Sequence, residues 1–108
     1  MAMRSASSGC SAVAVFTIAQ LRFTDEQAYR RYQAAFPAVF ARFDAAVIIA
    51  DEAPVVLEGN WPFSKIVVLR FPDEAEALRF ASDADYARIA RDRKAGSDAV
   101  VILARGLA

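Results

Sequence analysis

The sequence predicts an α+β fold, a ferredoxin-like β-α-β-β-α-β chain with a four-stranded antiparallel sheet and both helices on one face. Three observations predict it. Strand-like segments rich in Val, Ile and Phe recur four times in 108 residues. Two longer stretches carry apolar residues at helical spacing. Only turn residues separate the second strand from the third.

The first strand spans Val13 to Phe23. Val13, Val15, Thr17, Ala19 and Leu21 share one of its faces, and Ala14, Phe16, Ile18, Gln20 and Arg22 share the other. Thr24 is the expected cap of the first helix, with Gln27 at the capping-box position. Tyr29, Tyr32, Phe36, Val39, Phe40 and Phe43 then form one apolar face. Pro37 lies inside this run and is expected to kink the helix or split it near Ala35, because proline lacks a backbone donor.

The second strand is expected from Ala45 to Ala50, broken by Asp51 to Pro54 and resumed from Val55 to Glu58. Gly59-Asn60-Trp61-Pro62 is turn chemistry, and Ser64 to Phe71 is the third strand. Pro72-Asp73-Glu74 opens the second helical region, with Ala75, Leu78 and Ala81 expected to face inward. Ser82-Asp83-Ala84-Asp85 offers a fresh cap, which divides the region into two segments. Tyr86, Ile89, Ala90 and Arg93 continue the helical spacing, and Gly96 ends it. Asp98 to Arg105 is the last strand.

Composition excludes several function classes. Thirteen basic and thirteen acidic residues cancel, so neither nucleic acid nor an acidic membrane is an expected partner. The third strand is also aliphatic where an RNA-recognition sheet would carry stacking aromatics. With no histidine there is no Ser-His-Asp triad, no histidine-ligated haem and no histidine zinc site, and no cofactor or metal is expected. Cys10 is the single cysteine and fits a reduced, cytoplasmic protein. No apolar run approaches a membrane span. Residues 1–12 are small and polar and read as an N-terminal tail, leaving residues 13–108 as one domain.

The hydrophobic fraction is 56%. Val13 to Ile18, Ala45 to Ala50, Ile66 to Leu69 and Val100 to Leu103 are apolar at consecutive positions, so both sheet faces are apolar. Two helices cover only one face, and a sheet with one wet face should alternate. A homodimer joined through the other sheet face is therefore expected.

Gln20, Arg22, Glu58, Lys65, Arg70 and Arg105 break the apolar strands. A ligand cleft rimmed by such groups is expected to use Tyr29, Tyr32, Trp61 and Arg70, with Arg70 clamping a carboxylate. Arg70, Glu58 and Tyr86 are the candidate catalytic residues: Arg70 would orient an anion, and Tyr86 or Glu58 would move a proton. Each has a plainer reading. Arg70 pairs with Glu58, the tyrosines are core, and Trp61 packs across the dimer. Asp83 and Asp85 cap a helix, and Arg88, Arg91, Arg93 and Lys94 form a solvated helix face.

From Tyr29 onward the chain resembles the bacterial family called domain of unknown function 1330, within the dimeric α/β-barrel superfamily. The carriers are Tyr29-Arg30-Arg31-Tyr32-Gln33-Ala34-Ala35-Phe36-Pro37, Leu57-Glu58-Gly59-Asn60-Trp61-Pro62 and Ile66-Val67-Val68-Leu69-Arg70-Phe71-Pro72. Glu74-Ala75 and Asp85-Tyr86 follow in order. The chain departs from the family at Asp44-Ala45-Ala46, where Gly-Gly-Arg is frequent, and at Phe80-Ala81, where Trp-Tyr is frequent. A family site built on those residues would be altered here. The resemblance implies a homodimer and no settled reaction, and its superfamily includes cofactor-free monooxygenases and lactone isomerases. Two functions therefore compete: a small-molecule site for a hydrophobic or carboxylate-bearing metabolite, with cofactor-independent monooxygenase- or isomerase-like chemistry, and a non-catalytic structural or regulatory dimerisation module.

Overall fold

A computed structural model describes residues 13–107. The expected tail and Cys10 lie outside the described residues. The elements are β1 (Val15–Phe23), α1 (Glu26–Phe40), β2 (Ala46–Asp51), β3 (Lys65–Phe71), α2 (Glu74–Ala81), α3 (Ala84–Gly96) and β4 (Ser97–Arg105). The sheet order is β2-β3-β1-β4, and every neighbouring pair is antiparallel. This is the ferredoxin-like arrangement, with the second helical region divided at Ser82.

The register sorts the strands by parity. Thr17 pairs with Leu69 and Leu103, and Ala19 with Val67 and Val101, so odd residues of β1, β3 and β4 share the helix side. Ile18 pairs with Val68 and Ile102 on the opposite side. In β2 the register shifts between Val47 and Ile49, which leaves Ile48 as the extra residue of a β-bulge. The bulge is why Val47 and Ala50, of opposite parity, pair with the odd residues Leu69 and Val67.

The core lies between the odd face and the helices. Phe71 and Leu21 are its largest fully buried side chains. Phe80 is the aromatic hub: its ring meets Phe36, Phe40, Phe43, Phe71 and Tyr86 at centroid distances of 4.3–6.1 Å. Such aromatic pairs each add about 0.5–1.5 kcal/mol beyond area burial. The hub corrects the expected inner face of α2. Ala77 and Phe80 are buried, whereas Ala75, Leu78 and Ala81 are exposed, because burying the large phenylalanine ring sets the rotation of this short helix.

Three local expectations also change. The cap of α1 is Asp25, not Thr24, because the Thr24 and Asp25 amides both donate to the Gly96 carbonyl and the Asp25 carboxylate accepts from the Ala28 amide. Pro37 does not split α1, which runs unbroken to Phe40. Its missing N–H removes one bond, to the Gln33 carbonyl, and the helix ends three residues later. Residues 55–58 form no strand; the connection from β2 to β3 is irregular and turns at Gly59, whose φ of +83° favours glycine.

Gly96 joins α3 to β4 against the first turn of α1. A Cβ at this position would stand 2.5 Å from the Tyr29 nitrogen and 2.7 Å from the Asp25 carbonyl oxygen, and both obstacles are backbone. Gly96→Ala should therefore destabilise the fold by about 2 kcal/mol, the cost of overpacking a rigid contact. Chemical denaturation measures it, and an unchanged midpoint would contradict this packing.

Candidate functional site

A cavity of about 450 Å³ lies between the odd face of the sheet and the three helices. Its floor includes Thr17, Ala19 and Val67, and its helix wall includes Tyr32, Phe36 and Tyr86. Three features keep this space open. The helices leave the sheet edges uncovered, so Val47 and Val101 are about half exposed. The bulge in β2 brings Val47 and Ala50 to the rim. Ala81, where the resemblance leads one to expect a large aromatic, lines the wall with a single methyl group.

The polar groups of the cavity are few. The Tyr32 and Tyr86 hydroxyls are 3.4 Å apart, at the outer limit of a hydrogen bond. Burial raises the Tyr32 phenol above its ordinary pKa, and the neighbouring Tyr86 adds to the effect. Tyr32 therefore stays protonated at neutral pH and serves as a donor, not a base.

Lys65 is only 5% exposed. Its Nζ lies 3.5 Å from Glu52 Oε2 and 5.0 Å from the centre of the Tyr29 ring. Glu52 is gripped at both oxygens by Arg30, at 2.6 and 2.8 Å. This bidentate contact pulls the Glu52 carboxyl down to about 2 and raises Arg30 in turn. Arg30 also holds Glu26 at 2.9 Å, so the group carries two cations and two anions. Arg93 completes the wall. Its Nε is buried and is the one buried side-chain polar atom among the described residues that lacks a hydrogen-bond partner.

The residues expected around one cleft divide between the two sides of the sheet. Tyr29, Tyr32 and Tyr86 line the cavity. Arg70 pairs with Phe16 and Ala46 on the even face, where it is exposed. Trp61 also lies on that side: its Nε1 donates to Gln20 Oε1 at 2.8 Å. Trp61 and Glu58 border a separate hollow of about 190 Å³ together with Leu57 and Ile66. Arg70 and Glu58 form no ion pair among the described residues.

Asp83 does cap α3, accepting from the Tyr86 amide, and it also pairs with Arg42 at 2.7 Å. No cluster of metal-ligating side chains occurs among the described residues. No helix among them is long and apolar enough to cross a membrane.

Sequence reasoning counted Lys65 only among the polar groups rimming a cleft and passed over Arg93 as a site residue. Parity could have found the first, since Lys65 shares its strand face with Val67, Leu69 and Phe71. Helical spacing could have found the second. Arg93 follows Tyr86 and Ala90 at i+7 and i+3, which sets it on the inward face instead of the expected solvated one.

The profile of the family described as "Domain of unknown function (DUF1330)" matches residues 14–107. No curated protein is significantly similar in sequence. Among solved structures, the chain is similar to RPA0582 from Rhodopseudomonas palustris, a protein of unknown function. The TM-score is 0.76 at 15% identity, covering 100% of this chain and 99% of that one. It is also similar to SnoaB, a cofactor-independent oxygenase from Streptomyces nogalater, with a TM-score of 0.64 at 15% identity over 85% of this chain and 91% of that one. A dimeric ferredoxin-like protein of unknown function from Thermobifida fusca gives a TM-score of 0.64 at 14% identity, over 88% and 92% of the two chains. At these identities the likeness is one of fold.

The Glu52 carboxylate sets an acid limit on stability. Its folded pKa is depressed, so its contribution is complete above the unfolded value near 4.5 and is lost as pH falls toward about 2. Glu52→Gln should lower Tm at neutral pH and flatten the decline of Tm across that window. A thermal-melt series against pH tests this, and an unaltered acid limb would refute the pairing.

Proposed function

The chain belongs to the DUF1330 family, and on that premise we propose that it is a homodimer that binds a small, largely apolar metabolite between sheet and helices. The observation that carries the reading is the 450 Å³ cavity with its apolar walls and paired tyrosine hydroxyls. Its size lies within the range of small-molecule sites, and a few convergent polar groups in an apolar pocket are what fixes ligand orientation.

The chemistry this site supports is hydrogen-bond donation to a ligand oxygen. Tyr32 is held protonated, and the hydroxyl pair leaves one proton free to meet a carbonyl or an enolate. Glu52 is a poor base because Arg30 stabilises its charge. Oxyanion stabilisation in a largely apolar pocket is compatible with cofactor-independent oxygenase- or isomerase-like reactions, in which the substrate itself supplies the reactive anion. The likeness to SnoaB supports that choice among reaction classes.

The even face of the sheet favours self-association. Ile18, Ile66 and Val68 are half-buried, and Ile49, Val100 and Ile102 are 43–51% exposed, and among the described residues no helix or strand lies across them. An apolar sheet face of this kind marks an interface. The dimeric neighbour from Thermobifida fusca supports a second copy as the cover, which would bury on the order of 1,600 Å². This pairing alone is what a non-catalytic dimerisation module would need; the open cavity favours the ligand-binding reading over it.

Two measurements test the proposal. A thermal-shift screen against a metabolite library should find apolar carbonyl or carboxylate compounds that raise Tm, because a ligand bound only by the folded state stabilises it by mass action. Ala81→Phe, which fills the cavity from its wall, should abolish those shifts, and shifts that persist in this variant would place the ligand elsewhere. Light scattering should give a dimer mass at micromolar concentration. Ile102→Lys should give a folded monomer, whereas a monomeric wild type would end the dimer reading.

A further inference from the structure

We propose that Arg93 is the anchor for a single carboxylate on the ligand, so that the cavity selects ring-bearing monocarboxylic acids over their neutral counterparts. This inference rests on the ligand-binding reading above and narrows it to one class of compound.

The first support is the orphaned donor. Burying a guanidinium N–H without an acceptor is costly, and Arg93 Nε is buried at the cavity wall with none among the described residues. A carboxylate entering the cavity would supply the missing acceptor. The geometry of guanidinium and carboxylate favours two parallel hydrogen bonds.

The second support is the charge balance. Lys65 and Arg30 are already met by Glu52 and Glu26. On the adjoining helix surface, Arg31 is met by Asp92 and Arg88 by Asp85. Arg93 has no ion-pair partner among the described residues, and Lys94 beside it at the cavity rim adds a second, exposed positive charge. The cavity therefore has a positive excess that an anion would complete.

The third support is the rest of the cavity wall. Phe36, Val67, Leu69 and Phe80 offer apolar and aromatic surface, with no further buried cation than Lys65, which Glu52 engages. Such walls suit a ring system bearing one anionic group. Lys94 is solvated at the rim, so the second charge of a phosphate or a dicarboxylate would meet no buried free cation and would lie against hydrocarbon. The tyrosine hydroxyls remain free for an uncharged oxygen on the same ligand.

The experiment is calorimetric titration of the full chain with a panel of aromatic acids (benzoate, 2-naphthoate, 9-anthroate) and their primary amides. At least one acid should bind the wild type about tenfold or more tightly than its amide. Arg93→Met should remove that preference, so that acid and amide bind within about twofold of each other, and Arg93→Lys should retain part of it. Ala81→Phe should weaken acid and amide alike. Equal binding of acid and amide by the wild type would overturn the anchor while the cavity reading stands. A preference that survives Arg93→Met would overturn it in the same way. The wild-type comparison decides even if a variant folds poorly. Binding of neither acids nor amides would overturn both readings.

Discussion

The contact between Gly96 and the first turn of α1 is the constraint on which the rest of the structure depends. The Gly96 carbonyl receives the Thr24 and Asp25 amides at 2.9 and 3.1 Å, so the end of α3 is tied to the start of α1 by backbone alone. No side chain intervenes there, which lets the two helices converge at this end. Toward the other end Phe80, Phe40 and Phe43 fill the space between helices and sheet. The helices are thus pinned at one end and propped by aromatic rings at the other. The cavity occupies the interval, with Tyr29, Tyr32, Tyr86 and Arg93 facing it from two helices whose spacing is fixed by the glycine.

The charged groups follow the same division. Arg30, Glu52, Glu26 and Lys65 form a neutral, interlocked set, of which Lys65 lines the cavity. Lys65 lies against the Tyr29 ring, and Arg30 lies 5.3 Å from the centre of Phe23 and 5.7 Å from that of Tyr29. Cation–aromatic contacts of this kind let an ammonium or guanidinium group sit among rings at modest cost. Arg93 stands apart from that set.

The order of elements was legible because each signal was local. Alternation in Val13 to Phe23, the aromatic spacing from Tyr29 to Phe40 and the second cap at Asp83 all depend on neighbours within one or two turns. The errors came where a distant partner decided. The Gly96 carbonyl took the Thr24 amide, which the expected capping box assigned to the Gln27 side chain. Phe71 and Phe40 drew in Phe80 and so rotated α2 away from the expected Leu78 face. The candidate site was legible in part. Tyr29, Tyr32 and Tyr86 could be read from helical spacing, but Arg70 was grouped with them by chemistry when strand parity sets it on the far side of the sheet. Arg93 was grouped by charge with its neighbours Arg91 and Lys94 on a solvated face, when its spacing from Tyr86 and Ala90 turns it inward.

The bulge at Ile48 shows how strongly the strands depend on counting. Odd residues of β1 floor the cavity, and even residues form the opposite surface. The two surfaces are written in alternate letters along the same strands, so point substitutions can adjust one while leaving the other intact. Insertions and deletions cannot. One residue lost from the middle of β1 would exchange Thr17 and Ala19 for Phe16 and Ile18 in the cavity floor, because a register slip of one inverts every side chain. Variation within β1 and β3 should therefore arise by replacement, with changes of length confined to the irregular stretch between β2 and β3 and to bulged positions such as Ile48.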